Sequence, residues 1–331
     1  MLNDGREPQN GGRQDSDAGR RRPNAARPPL KVLFIGGYGR SGSTLLDRVL
    51  GQVPGFLSIG ELRHVFQEGF VENRRCGCGE PFLECDFWQA VTRRAFGQLD
   101  GTELEDVVAL QERVDRWWLG PLLARRLGTP RQRRDVDRYR RILRRLYAAI
   151  AAESGAAVLI DSSKDVSHGF ALRGLDDALD LRVLHLVRDS RAVAWSWQRR
   201  KFNPGNDADM NRYSLLRTSA EWSTINALTR LHRPTGARYA TLHYANFTAD
   251  PAAAIDDILA FLGEPGRPNP IRDHTVHLGT DHTAAGNPNR FRQGEVEITP
   301  DEEWREAMPT PSRLLVSALT APSLRRYTPA R

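Results

Sequence analysis

The chain has 331 residues, 40% of them hydrophobic and seven of them tryptophan, which is enough apolar content for a packed core and too much for wholesale disorder. Its formal charge of +7 points to anionic partners without choosing among nucleotide, nucleic acid and membrane surface. No run approaches the ~18 apolar residues of a membrane span and the N-terminus lacks the apolar core of a secretory signal, so a soluble, cytoplasmic protein is expected.

Residues 1–29 are rich in Gly, Arg, Asn, Pro and Asp, and read as a disordered tail ahead of one packed α/β domain covering 30–331. The domain opens on Val32, Leu33, Phe34 and Ile35, a short buried strand. Gly36, Gly37, Gly39 and Gly42 follow in a loop that needs backbone freedom. Ser43 and Thr44 are placed to cap a helix carrying Leu45, Leu46, Val49 and Leu50. A strand, a glycine-rich loop and a helix start converge N–H groups and a helix dipole on one point, an arrangement that holds phosphate-like anions. Gly37 and Gly42 keep the spacing of a nucleoside-triphosphate loop, but Ser43 stands where that loop carries its lysine. The cradle is kept and the group that handles a terminal phosphate is gone. That leaves Arg40 and the hydroxyls of Ser41, Ser43 and Thr44 for a different nucleotide.

Residues 55–60 read as a second strand ending at Glu61. Residues 62–96 look irregular with helical pieces, and 103–153 is helical in pattern, so a helical insertion covers about 62–155. Within it Tyr139, Ile142, Leu143, Leu146, Tyr147 and Ile150 share one face, while Arg138, Arg140, Arg141, Arg144 and Arg145 mostly occupy the solvated one. Cys76, Cys78 and Cys85 are the only cysteines. With His64 they have the composition of a Cys₃His zinc site, although C-x-C is not the usual spacing; a disulfide plus one thiol, or three reduced structural thiols, are the alternatives, and the structural role is preferred.

Residues 156–161, 181–187 and 238–244 complete a set of about five apolar strands alternating with helices. This pattern predicts a parallel sheet covered on both faces, a three-layer αβα fold of the P-loop-containing nucleotide-binding type. Ligands in such sheets bind beyond the strand carboxyl ends. The glycine loop, Glu61, the stretch from Asp161 to Lys164, Arg188 and Tyr244 all follow strands directly. They therefore converge on one edge. Arg188, with Ser196 about two helical turns later, suits a second phosphate, or alternatively an Arg/Asp-bridged helix start. Glu61 suits a general base, or a cap or ion-pair partner. Asp161 also fits a metal-binding aspartate of a nucleoside triphosphatase. His185 and His243 fall inside strands and read as core residues.

Gly39, Arg40, Ser41, Gly42, Ser43, Thr44 and Leu45 together resemble the 5′-phosphosulfate loop of sulfotransferases, which use 3′-phosphoadenosine-5′-phosphosulfate (PAPS). The Arg-Ser-Gly-Ser-Thr-Leu form is similar to tyrosylprotein sulfotransferases and bacterial relatives. Arg188, Asp189, Arg191 and Ser196 resemble the family's 3′-phosphate motif, with Ser190 where Pro is common. The Gly60-Glu61 pair and Lys164 resemble catalytic stretches of the tyrosylprotein branch, Val166 replacing its Pro. Residues 31–294 carry the motifs in family order.

The resemblance implies transfer of a sulfuryl group from PAPS to an acceptor hydroxyl. Glu61 would be the base, and Lys164 and Arg40 would stabilise developing charge. Gly39, Arg40, Ser41, Gly42, Ser43 and Thr44 would hold the 5′-phosphosulfate, and Arg188 and Ser196 would read the 3′-phosphate. Tyr244 would contact adenine, and Arg290 or Arg292 would come from a loop closing over the 3′-phosphate. This scheme requires no metal and no nucleic acid. The acceptor stays open among small molecule, glycan, lipid and peptide tyrosine, its pocket expected from 62–155 and about 200–220. Two other readings are carried: a P-loop kinase or NTPase without the usual lysine, and a non-catalytic polyanion-binding protein.

Overall fold

The computed structural model describes residues 28–116, 120, 127–235 and 238–327. The expected tail therefore lies, up to residue 27, outside the described residues. The first strand, β1 (Leu30–Gly36), leads into α1 (Ser43–Gly51), and β2 is Phe56–Gly60. Among the described residues the helices α2 (Asp86–Phe96), α3 (Gly101–Val114) and α4 (Pro130–Ser154) follow, preceded by a π-helical stretch at Val65–Val71. Next come β3 (Val158–Lys164), α5 (Val166–Arg173), β4 (Leu179–Val187) and α6 (Ser190–Gln198). A small hairpin of β5 (Phe202–Asn203) and β6 (Ala208–Asp209) precedes α7 (Leu215–Thr229). The chain continues through β7 (Arg238–His243), α8 (Tyr244–Ala249) and α9 (Pro251–Phe261). It ends with a hairpin of β8 (Thr275–Leu278) and β9 (Gly294–Glu297), then α10 (Trp304–Ala307) and α11 (Thr310–Tyr327).

All five strands expected from the sequence join one sheet in the order β2-β3-β1-β4-β7. Every neighbouring pair is parallel. The order places β1 and its loop at the centre, where crossovers on either side leave a crevice at the strand ends. Period-2 alternation decides which residue faces which layer. Val32 and Phe34 enter a core shared with α2, α3, α4 and α5, whereas Leu33 and Ile35 enter a second core shared with α1, α9 and the β8–β9 hairpin.

The long helix α4 shows how sequence fixes an element. Thr129 and Gln132 form a reciprocal capping box, Pro130 occupies the first turn, and Gly155 ends the helix with φ of 66°. Its face of Val136, Tyr139, Leu143, Leu146, Tyr147 and Ile150 is buried, each side chain contributing about 1.5–3 kcal/mol. The arginines of the other face are tied locally: Arg144 to Asp177, Arg145 to the Ala95 carbonyl and Arg140 to the Ala171 carbonyl. No described helix is long and apolar enough to cross a membrane.

Candidate active site

The loop after β1 is held open by backbone conformations that its residues were chosen for. Gly37 and Gly42 have φ of 124° and 91°. A Cβ on Gly37 would lie 2.3 Å from the Leu186 carbonyl oxygen, and one on Gly42 would lie 2.7 Å from the Tyr244 ring. Arg40, at φ 68°, adopts the left-handed region without glycine's freedom, a local strain of the kind that functional loops carry. Ser41 is buried and donates to the Tyr38 carbonyl at 2.7 Å, so it braces the turn from within.

The expected capping by Ser43 and Thr44 is corrected. The helix begins at Ser43, its N-cap is Gly42, and no side chain caps it. Because the helix starts two residues earlier than expected, both hydroxyl residues sit in the first turn rather than at the N-cap. The helix N-terminus keeps its amides free for an anion.

That N-terminus opens into a cavity of about 810 Å³. Nine arginine and lysine side chains and five carboxylates line it among the described residues, a clear cationic excess. Gly39, Arg40, Gly42, Ser43, Thr44, Glu61, Lys164, Arg188, Ser196, Tyr244 and Arg292 all border it. Arg40 lies with its guanidinium carbon 4.7 Å from the Trp197 ring centre. Its Nε and Nη2 are buried and without a hydrogen-bond partner. Burial holds its pKa below the usual value, with Glu61 pulling the other way. Buried guanidinium nitrogens left unsatisfied beside a cavity are costly unless an anion completes them.

At the end of β2, Glu61 meets Lys164 from the end of β3, Oε1 to Nζ at 2.6 Å. Lys164 also donates to the Ser162 carbonyl at 2.8 Å and holds φ of 63°. Burial pushes the Glu61 carboxyl up, but Lys164, His64 and Arg63 outweigh it and hold the group below the usual carboxylate range.

On the far side of the loop, the Arg188 guanidinium carbon lies 4.5 Å from the Tyr244 ring centre. It donates to the Arg40 carbonyl at 3.2 Å and to the Asp301 carbonyl at 2.8 Å, and pairs with the Asp301 carboxylate at 3.0 Å. Asp301 also pairs with Arg199 at 3.0 Å.

Arg290 and Arg292, adjacent in sequence, separate in space. Arg290 is buried and donates to the carbonyls of Thr283 at 2.8 Å and Arg75 at 2.5 Å, and it does not border the cavity; Arg292 does. Asp161 is fully buried and engaged inside the protein. It accepts from Tyr147 and from His168 at 3.0 Å, and from the Ser163 amide at 2.9 Å. Those bonds consume the oxygens that a metal-binding role would use.

His64 lies between Glu61 and Glu68, at 3.8 and 3.5 Å, and not with the cysteines; their imidazole partner is His282. From the stretch expected to help line the acceptor pocket, Arg200, Lys201, Asn203, Asn206, Asp209, Met210 and Asn211 border this cavity. From 62–155 only Glu68 and Arg74 reach the cavity among the described residues. Sequence reasoning also missed Lys201, Arg199 and Asp301. Lys201 donates to the side-chain oxygens of Asn287 and Asn289 at 2.9 and 3.0 Å. Burial, then Arg40 and Arg199, bring its pKa down to about 8. As one of only three lysines in the chain, it was the single advance signal.

Fold and cavity define an α/β protein whose anion-receptive sheet edge carries a carboxylate–lysine pair. The sulfotransferase family profile matches residues 33–268, and the chain belongs to that family, whose general activity is sulfuryl transfer. No curated protein matches the sequence. Among solved structures, a sulfotransferase domain from the Synechococcus PCC 7002 olefin synthase is similar at 23% identity and a TM-score of 0.49, covering 91% of this chain and 96% of that one. A sulfotransferase domain from the curacin biosynthetic pathway is similar at 16% identity and 0.47, covering 90% and 99%. The Mycobacterium avium sulfotransferase STF9 is similar at 14% and 0.45, covering 91% and 77%.

Proposed function

We propose that the chain transfers a sulfuryl group from PAPS to an acceptor hydroxyl, with Glu61 as general base. The observation that carries this reading is one cavity bordered by the uncapped helix start, the Arg40 guanidinium with its two unpartnered nitrogens, Arg188 and the Glu61–Lys164 pair. PAPS supplies an electrophilic sulfur bound to a phosphate leaving group. Gly42, Ser43 and Thr44 present the α1 N-terminus to the 5′-phosphosulfate, and Arg40 completes its own hydrogen bonding there. Arg188, with Ser196 and Arg292 on the same wall, holds the 3′-phosphate, and Tyr244 offers its ring to the base. Glu61 takes the proton from the acceptor hydroxyl as its oxygen bonds to sulfur and the bond to the 5′-phosphate breaks. Lys164 would move from Glu61 to the departing oxygen. That exchange frees Glu61 to act as a stronger base when the donor is in place.

Calorimetry of 3′,5′-adenosine bisphosphate against ATP, with and without Mg²⁺, tests the donor. Metal-independent binding that favours the bisphosphate is expected, and a preference for Mg·ATP would overturn the proposal. Glu61→Gln should keep bisphosphate affinity within about threefold while turnover falls by roughly 10²-fold or more, the scale of a lost general base. Full turnover in that variant would remove Glu61 from the role.

A further inference from the structure

The cysteine segment and the strap after β8 meet in a four-residue cluster that the sulfuryl-transfer reading does not use. Cys76, Cys78, Cys85 and His282 each turn one ligand atom inward, and these four atoms all lie within 4.8 Å of one another. Cys85 Sγ is 3.3 Å from His282 Nδ1, Cys76 Sγ is 3.9 Å from the same nitrogen, and Cys78 Sγ is 3.8 Å from Cys85 Sγ. Cys76 and Cys85 are buried, and all three thiols are free. A disulfide needs sulfurs about 2.05 Å apart, far closer than any pair here.

We propose that Cys76, Cys78, Cys85 and His282 hold one structural zinc ion. Tetrahedral zinc, with sulfur at about 2.3 Å and nitrogen at about 2.0–2.1 Å, puts neighbouring ligand atoms roughly 3.5–3.8 Å apart. The measured separations bracket that range. Three thiolates and an imidazole, with no carboxylate in the cluster, favour zinc over harder cations.

The surroundings are built for the same geometry. The Cys76 amide donates to the Glu80 carbonyl at 2.8 Å and the Gly79 amide to the Cys76 carbonyl at 2.9 Å, closing a tight turn that brings Cys76 and Cys78 to one side. Gly79 takes φ of 99° there. Phe87 stacks on the His282 ring at 5.0 Å, and Trp88 Nε1 donates to the His282 carbonyl at 3.0 Å, fixing the ring. Zinc with three thiolates leaves one net negative charge. Arg290 supplies the compensating cation, bridging the carbonyls of Arg75 and Thr283, the residues beside Cys76 and His282. That role explains why Arg290 turns away from the anion cavity.

The ion would tie residue 85 to residue 282, 197 positions apart in sequence. The strap so anchored carries Asn287, Asn289 and Arg292 to the cavity wall and supplies carbonyls to Arg48. Zinc would therefore fix one wall of the anion site without touching the reacting atoms.

The test uses the full chain. Metal analysis of protein purified without chelator should give about one zinc per chain, the stoichiometry of one closed site. Cobalt(II) added to chelated, reduced protein should give intense visible bands of a tetrahedral ion and a thiolate-to-metal charge-transfer band in the near ultraviolet. His282→Cys should keep the metal and strengthen that band, and Cys78→Ser should lower zinc content. Zinc-loaded wild type should protect its three thiols from a thiol reagent relative to chelated protein. Absence of bound zinc with all thiols reactive, or a weak octahedral cobalt spectrum, would overturn the assignment. The spectrum and thiol protection are read on wild-type protein, so they decide the matter even if Cys78→Ser does not fold.

Discussion

In the proposed reading Arg188 holds the 3′-phosphate, so Arg188→Ala would isolate that group from the rest of the donor. In the cavity the guanidinium is almost buried, with 8% of the side chain exposed, and it pairs with Asp301 at 3.0 Å. A charge-assisted hydrogen bond contributes about 1.5–3 kcal/mol, and a phosphate engages a guanidinium through one or two of them. Part of this is offset by release of Asp301, leaving a net of about 2–3 kcal/mol, or roughly 30-fold to 160-fold in Kd. ADP lacks the 3′-phosphate, so its affinity should change by less than about threefold on the same scale. The assay is calorimetric titration of both nucleotides into wild type and variant at fixed ionic strength, with thermal melts as a folding control. Asp301 keeps Arg199 as a partner in the variant, so no unpaired carboxylate is left behind. Equal weakening of ADP and the bisphosphate would refute the reasoning, because it would mean that Arg188 acts on the loop rather than on the 3′-phosphate.

Asp301→Asn should act in the opposite direction, tightening bisphosphate binding by about threefold to tenfold as Arg188 and Arg199 lose a competing carboxylate, the same titration deciding it. Lys201, with its pKa brought down to about 8, loses its charge as pH rises through that value. A bound anion raises that pKa, so bisphosphate affinity should be steady below pH 8 and fall above it, a fall that Lys201→Met abolishes; an unchanged pH profile in the variant would exclude the lysine. Tyr147→Phe removes a buried donor to Asp161 and should cost about 1–3 kcal/mol of stability in urea unfolding. An unchanged midpoint would show that His168 and Ser163 satisfy the carboxylate unaided.

The central sheet was legible because each strand is a compact apolar run, and period-2 alternation assigns Val32 and Phe34 to one layer and Leu33 and Ile35 to the other. The strand ends carried Glu61, Lys164, Arg188 and Tyr244 with them, so their meeting at one edge was also legible. Contacts made by the loops flanking β9, from 279 to 293 and from 298 to 301, were not. Arg290 and Arg292 differ only in where a short 3₁₀ turn at Pro288–Phe291 points them. His282 reaches the cysteines across most of the chain, whereas His64 had only proximity in sequence to recommend it. Asp301 was hidden for the same reason, since nothing local marks a loop carboxylate as the partner of an arginine at the end of β4. The helix start was misplaced because Gly42 takes the N-cap position in a left-handed conformation that serine and threonine avoid, which lets the helix begin at Ser43 with no side-chain cap.

Two of the cations that would handle the donor are already neutralised by the protein itself. Lys164 is paired with Glu61 and Arg188 with Asp301, while Arg40 is left with unpartnered nitrogens. Binding an anion here is therefore an exchange of partners at two positions and a gain of partners at the third. Exchange favours a ligand with several charges at fixed separation, because a single carboxylate or chloride replaces only one internal pair and leaves the others as they were. It also keeps a dense set of buried arginines from the full cost of unpaired burial while the site waits. In the proposed reaction the same exchange would couple binding to chemistry: only when Lys164 turned to the donor would Glu61 lose the partner that depresses its basicity. A nucleotide that fails to draw Lys164 away would bind and still leave the base weak, so discrimination would be seen in turnover more than in affinity.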